Sequence, residues 1–122
     1  MTVPSLEQRL ALRQCPTRQA VMHQRWDNLL FLHWEIDAEI IQDSLPPGLW
    51  VDRYQGKAYV AIVPFKMRGI RPHGLPAVPY LSNFLETNVR TYVHNAEGVP
   101  GVWFYSLDTD RWIAHWIAKR VF

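Results

Sequence analysis

The chain has 122 residues, a hydrophobic fraction of 48% and six tryptophans, and this composition excludes an intrinsically disordered protein. Thirteen basic residues against eleven acidic ones give a formal charge of +2, with no run of like charge, which argues against nucleic acid or an anionic membrane as a partner. The length fits one domain with its own core, over residues 1–122.

The N-terminal sequence and the single cysteine bear on location. Charges at Glu7, Arg9 and Arg13 interrupt the first residues, which therefore lack the apolar centre of a signal peptide. Cys15 has no partner for an internal disulfide, which is typical of a reducing compartment. The longest apolar run, residues 58–65, is far shorter than the roughly 20 residues that span a bilayer. We expect a soluble, cytoplasmic protein.

Residues 1–24 predict a helical N-terminal extension. Pro4 and Ser5 open a short helix that ends before Pro16, and Thr17 can cap a further turn that reaches Gln24. Residues 28–36 follow as a strand, because apolar and polar residues alternate there.

A short helix and a hairpin are predicted next. Asp37 is a suitable N-cap for a helix over residues 38–44. Residues 49–52 and 57–66 predict two strands joined by a turn at 53–56, and the second strand is apolar enough to be buried on both faces. Residues 67–80 are so rich in proline and glycine that we expect a long loop or lid.

The C-terminal part predicts three further strands, over residues 84–93, 102–107 and 112–118. The whole chain then has five or six strands and one or two short helices, and its short connections favour antiparallel pairing. The predicted fold is a mainly β (α+β) domain, an antiparallel sheet or a partial β-barrel.

Polar side chains alternate along the strand 84–93 and predict a polar sheet face. If the following hairpin is centred near Glu97, strands 102–107 and 112–118 extend that face. Its members are Glu86, Asn88, Arg90, Ser106, Asp108 and His115. Inside a barrel, Arg90 could bind a carboxylate and Glu86 could act as an acid or base with a pKa raised by burial. Alternatively, the carboxylates neutralise Arg90 in a structural network, or the face is solvated.

Other kinds of site find no support in the sequence. The five histidines lack metal-ligand spacing, so we predict no metal site and interpret them as ordinary hydrogen-bonded side chains, although His33 and His115 could line a pocket. No Gly-x-Ser-x-Gly or nucleotide-binding glycine motif occurs, so we predict neither a serine hydrolase nor a nucleotide cofactor.

The chain stops within the apolar stretch 112–122, which would leave an open strand edge. Two explanations follow: the chain forms a homo-oligomer through this C-terminal strand, or it is part of a longer protein.

Three stretches of the sequence resemble the uncharacterised bacterial family DUF2071, the YqjF-like proteins. They are WDNLLFLHWEI at 26–36, the block at 45–72 that contains GKAYVAIVPFKMRGIRP, and the block at 75–108 that contains NFLETNVRTYVHNAEGVPGVWFYSLD. Together they cover most of the chain after Met22. Members of the family continue beyond the point where this chain ends, so the resemblance implies that the chain is the N-terminal part of a longer family domain.

The family in turn is similar to acetoacetate decarboxylase, a largely antiparallel β-barrel around a small pocket. That similarity implies a pocket glutamate at Glu86 and a Schiff-base lysine, for which Lys119 is the best-placed candidate. A solvated or snorkelling Lys119 is the alternative.

Two functions are therefore open. The first is a small-molecule-binding or enzymatic β-barrel domain whose ligand is a small carboxylate or carbonyl compound, with Glu86 and Lys119 as catalytic residues. The second is a non-catalytic structural or interaction module that uses its open sheet edge. Exposure of Glu86 and Arg90 to solvent would favour the second.

Overall fold

A computed structural model describes residues 2–77 and 83–110 of the chain. Two short helices and six strands occur there: α1 Leu6–Ala11, β1 Met22–Asp27, β2 Leu32–Ile36, α2 Ala38–Ser44, β3 Trp50–Val51, β4 Ala58–Pro72, β5 Phe84–His94 and β6 Pro100–Thr109. This confirms the predicted mainly β class, with an antiparallel sheet and two short helices.

The sheet is built around β4 and β5. Its strand order is β1-β4-β5-β3, with β2 also paired to β4 and β6 also paired to β5. Among the residues that the structure describes, β1 and β2 do not pair with β3 or β6, so this sheet is open. The predicted strand 112–118 lies outside the described residues, as do residues 78–82.

Contacts group the chain into two compact units, each of which takes part of β4, β5 and β6. The first unit consists of Met1–Thr17, Leu32–Ala61 and Val89–Tyr105. The second consists of Arg18–Phe31, Ile62–Asn88 and the described part of Ser106–Phe122.

Within the first unit, α1 is capped as its sequence predicts and is tied to the strands. Ser5 Oγ accepts a hydrogen bond from the Gln8 backbone at 3.1 Å, and Gln8 Oε1 accepts from the Ser5 backbone at 2.8 Å. This reciprocal pair satisfies two of the backbone donors that the start of a helix leaves open. Arg9 donates two hydrogen bonds to the Asp52 carboxylate, at 2.6 and 2.7 Å.

Helix α1 is also hydrogen-bonded to the turn between β5 and β6. Gln8 Nε2 donates to the Glu97 carbonyl at 2.9 Å. Gly98 beside it has a φ of +83°, and a Cβ at this position would lie 2.9 Å from the Gln8 amide. The backbone conformation therefore favours glycine, and any side chain here would push the Gln8 amide aside.

The second helix of the first unit forms as predicted, over Ala38–Ser44. Asp37 Oδ1 accepts from the Glu39 backbone at 3.0 Å, and Ile41 is the residue that α2 buries. The strands of this unit bury Thr91, Val93 and His94 of β5.

In the second unit, the pairing of β1 with β4 shows that two predictions are wrong in part. The helical extension 1–24 is wrong beyond Ala11, because Met22–Asp27 is a strand that pairs antiparallel with β4. The loop predicted for 67–80 is wrong for its first six residues, because β4 continues to Pro72. Proline and glycine density is a local signal, and the hydrogen bonds to β1, which comes from 40 or more residues away in sequence, override it. The strand also contains a local irregularity, since Gly69 has a φ of +60°.

Two further predictions hold only in part. The strand predicted at 28–36 starts at Leu32, and the left-handed Asn28, with a φ of +55°, separates it from β1. The predicted turn at 53–56 exists, closed by a Tyr54–Lys57 bridge, but β3 pairs with β5 rather than with β4.

The predicted register of the β5–β6 hairpin holds at its turn and not at its far end. A centre at Glu97 pairs Asn95 with Val99, and the Asn95 backbone donates to the Val99 carbonyl at 3.1 Å. At the other end, the Asp110 backbone donates to the Leu85 carbonyl at 3.1 Å, where that centre would place Thr109. Directly after the end of β6, this hydrogen bond is therefore one residue out of the predicted register.

Candidate functional site

The feature that stands out chemically is a buried carboxyl beside a buried amide on β5, both in the second unit. Glu86 retains 7% of its surface exposed and Asn88 retains 1%. The two residues are separated by one position, so their side chains leave the strand on the same face. The other buried side chains of this unit are apolar: Val63, Phe65, Met67 and Phe84.

Neither polar group is fully paired. Among the described residues, no hydrogen bond or ion pair reaches the Glu86 carboxyl, and Asn88 Oδ1 is buried without a hydrogen-bond partner. A buried acceptor without a partner costs about 1–3 kcal/mol, and such groups are rare in native proteins. A bound molecule that supplies the missing hydrogen bonds is one explanation of that cost.

The burial of Glu86 also sets its protonation. Removal of the carboxylate from water disfavours its charged form and raises the pKa of Glu86 to about 7. At neutral pH the carboxyl is therefore divided between a neutral form that donates a hydrogen bond and a charged form that accepts one. A group with this pKa is suited to acid–base work near neutral pH.

The other residues of the predicted polar face have different surroundings. Arg90 belongs to the first unit, is half-buried, and places its guanidinium carbon 5.9 Å from the centre of the Tyr92 ring, within cation–π range. Ser106 is half-buried and Asp108 is exposed. His115 and Lys119 lie outside the described residues, so their predicted roles stay predictions.

The first unit contains an aromatic cluster that the sequence does not reveal, because its members come from three strands. His33 Nε2 and Tyr92 Oη lie 2.8 Å apart in a hydrogen bond, and the two rings stack with centroids 5.8 Å apart. Tyr59 meets the His33 ring edge-on at 6.3 Å. The alternation of residues 28–36 places His33 opposite the apolar face, but only the pairing of β2, β4 and β5 brings these rings together.

The first unit also contains an apolar groove. This open groove has a volume of about 380 Å³ and lies between α2 and the strands. Its polar contribution is a hydrogen bond between Ser44 Oγ and Tyr105 Oη. The described residues that line the groove include no ionisable carboxyl or amide, which Glu86 and Asn88 supply.

These features define a class of protein, namely a mainly β domain with an antiparallel sheet and an ionisable group inside its core. The chain belongs to the DUF2071 family, described as an uncharacterized conserved protein, whose profile matches residues 23–122. It is 38% identical over 102 residues to the uncharacterized protein YqjF of Bacillus subtilis strain 168. That match covers 84% of this chain and 42% of the relative, so the chain spans less than half of the relative's length. No solved structure matches the chain significantly.

In the described ranges, neither helix is long and apolar enough to span a bilayer.

Proposed function

We propose that this domain binds a small carbonyl or carboxylate compound through Glu86 and Asn88. The observation that carries the proposal is that Asn88 Oδ1 is buried without a hydrogen-bond partner in the described part of the chain, on the same strand face as the buried Glu86. A neutral Glu86 carboxyl donates to a carbonyl or carboxylate oxygen. Asn88 Oδ1 accepts from a hydroxyl or acid group of the same molecule.

The buried position of Glu86 favours this function over a non-catalytic module with a solvated polar face, since that alternative depends on an exposed Glu86. Enzymatic chemistry of the acetoacetate decarboxylase kind is a more specific form of the proposal. It requires an amine nucleophile, for which Lys119 is the candidate. A cytoplasmic location is proposed with it and is compatible with the exposed, free thiol of Cys15.

The affinity for such a ligand is expected to depend on pH in a defined direction. The neutral form of Glu86 is the donor, so affinity falls about tenfold between pH 6 and pH 8, as the carboxyl ionises around its pKa of about 7. In Glu86→Gln the side chain is a permanent donor, and affinity becomes independent of pH over the same range. Tryptophan fluorescence or ligand-observed NMR with a panel of small keto acids and carbonyl compounds measures both.

Glu39→Gln is the matched control, because Glu39 is an exposed glutamate on α2. It should leave the pH dependence of the wild type intact. Absence of any response to the panel, or an affinity that rises with pH, contradicts the proposed function.

Self-association is a second candidate property, favoured by an exposed apolar run in the second unit. Leu29, Leu30 and Phe31 are 40%, 52% and 49% exposed. We propose a homo-oligomer that pairs through the C-terminal stretch 112–122. Sedimentation velocity of the 122-residue chain over a hundredfold concentration range should show an oligomer that Trp116→Lys dissociates. A monomer at the highest concentration contradicts it.

A further inference from the structure

Two histidines from distant parts of the sequence meet in the second unit. His23 Nε2 and His73 Nδ1 lie 3.1 Å apart, and the ring centroids are separated by 5.3 Å. His23 is half-buried and His73 is exposed. The two ring nitrogens therefore face each other, beside a His73 side chain that is exposed to solvent.

The backbone fixes this arrangement. β1 pairs with β4 so that Met22 is opposite Pro72, and the His73 backbone donates to the Val21 carbonyl at 3.0 Å. His23 and His73 are thus diagonal neighbours across two strands, close enough for long side chains to touch. Gly74, with a φ of +82°, turns the chain directly after His73.

We propose that His23 and His73 together bind a divalent late first-row transition metal ion, through Nε2 of the first and Nδ1 of the second. Two imidazole nitrogens that share a tetrahedral ion at 2.0–2.1 Å are roughly 3.3 Å apart. The observed separation of 3.1 Å is close to that value, and binding requires both rings to turn so that the two nitrogens point at the ion instead of at each other.

Gln19 is placed so that it can orient the His73 ring. Its side-chain amide lies 2.7 Å from His73 Nε2, the nitrogen that faces away from His23. Ligating histidines generally use their second nitrogen in such a hydrogen bond, which fixes the ring and the tautomer. In the metal-free state the Gln19 amide nitrogen donates to Nε2, and Nδ1–H of His73 donates to His23. On metal binding the imidazole proton of His73 resides on Nε2 and donates to the amide oxygen of Gln19, so Nδ1 is free to bind the ion and no net proton is released.

The surroundings indicate which ions fit. Among the described residues no group of three or more His, Cys, Asp or Glu side chains could hold a metal, so this part of the chain supplies the two imidazoles and we expect water at the other positions. Arg71 is opposite His23 in the ladder, and its guanidinium donates to the Leu75 carbonyl at 3.2 Å. With Arg71 opposite and no third His, Cys, Asp or Glu ligand among the described residues, ions that bind imidazole strongly are favoured, in the order Cu²⁺, then Ni²⁺ or Zn²⁺, whereas Mg²⁺ is not expected to bind.

The test uses tag-free protein at pH 7.5 and the metal ions alone. Calorimetric titration with Cu²⁺, Ni²⁺ and Zn²⁺ should show one site, and Mg²⁺ should show none. Electron paramagnetic resonance of the Cu²⁺ form should show two nitrogen ligands. His23→Ala and His73→Ala should each weaken binding about 100-fold, and Gln19→Leu about tenfold. His33→Ala, which removes an exposed histidine of the first unit, should stay within twofold of the wild type.

Two further measurements separate loss of a ligand from loss of the fold. Thermal unfolding of each variant shows whether the chain remains folded, and His73→Cys, which supplies a sulfur ligand at the same position, should restore most of the Zn²⁺ affinity. The proposal is overturned if the wild type binds none of the three ions. It is equally overturned if binding survives in the double variant His23→Ala/His73→Ala, or if His33→Ala weakens binding as much as His23→Ala does.

Discussion

Glu86→Gln is expected to stabilise the protein by about 3 kcal/mol above pH 7 and to leave its stability almost unchanged below pH 4.5. Burial raises the pKa of Glu86 from an ordinary value of 4.5 to about 7, with no partner in the described residues to offset the cost of its charge. Glutamine has nearly the shape of the neutral carboxyl and never ionises. The variant therefore removes the cost of charging a buried group.

The sign of this effect follows from proton linkage. A carboxyl whose pKa is higher in the folded than in the unfolded chain favours folding below the unfolded pKa, and that advantage is lost as pH rises to the folded pKa. The difference in free energy of unfolding between wild type and variant should thus grow from pH 4.5 to pH 7 and then stay constant.

Urea unfolding followed by circular dichroism, at half-unit steps from pH 4 to pH 8.5, measures this difference. Glu39→Gln is again the control, because it makes the same chemical change at an exposed position. A Glu86→Gln variant that is less stable than the wild type at pH 8 would show that the charged carboxylate has a favourable partner, and would remove the basis of the proposed site.

Phe65→Ala is expected to cost about 3–5 kcal/mol in free energy of unfolding, the largest loss predicted for a single substitution here. Phe65 is 3% exposed in the core of the second unit, and its ring stacks on Trp26 of β1 with centroids 4.7 Å apart. The substitution leaves a cavity and removes the aromatic contact between β1 and β4.

Phe104→Ala is the control that shows whether this loss depends on burial of the ring, since Phe104 on β6 is 39% exposed. It should cost about 1 kcal/mol or less. Denaturant unfolding followed by circular dichroism reports both variants. Equal losses for Phe65→Ala and Phe104→Ala would mean that Phe65 is not part of a close-packed core.

Local signals in the sequence were sufficient for some elements. The helix at 38–44 follows from Asp37, which caps its start, and from Pro46, Pro47 and Gly48, which end it. The long strand 84–94 follows from its alternation. In both cases the residues that determine the element lie within it or beside it, so the pattern can be recognised without knowledge of the rest of the chain.

Elements that depend on distant partners could not be predicted in this way. Residues 67–72 remain a strand despite Gly69 because β1 pairs with them, and β1 itself has no strong pattern. The candidate site could likewise be predicted only in part. Alternation places Glu86 and Asn88 on one face, but only the structure shows that both are buried. His23 and His73 are 50 residues apart, and no spacing rule connects them.

The family match begins at residue 23, but helix α1 lies before it and is bonded to matched residues. Arg9 neutralises Asp52, whose side chain is only 11% exposed, and Gln8 is bonded to the turn that holds Gly98. A chain shortened to the region that relatives share would leave a nearly buried carboxylate without its counter-charge. The boundary defined by common ancestry is therefore not the boundary at which this polypeptide can be cut without loss of stability.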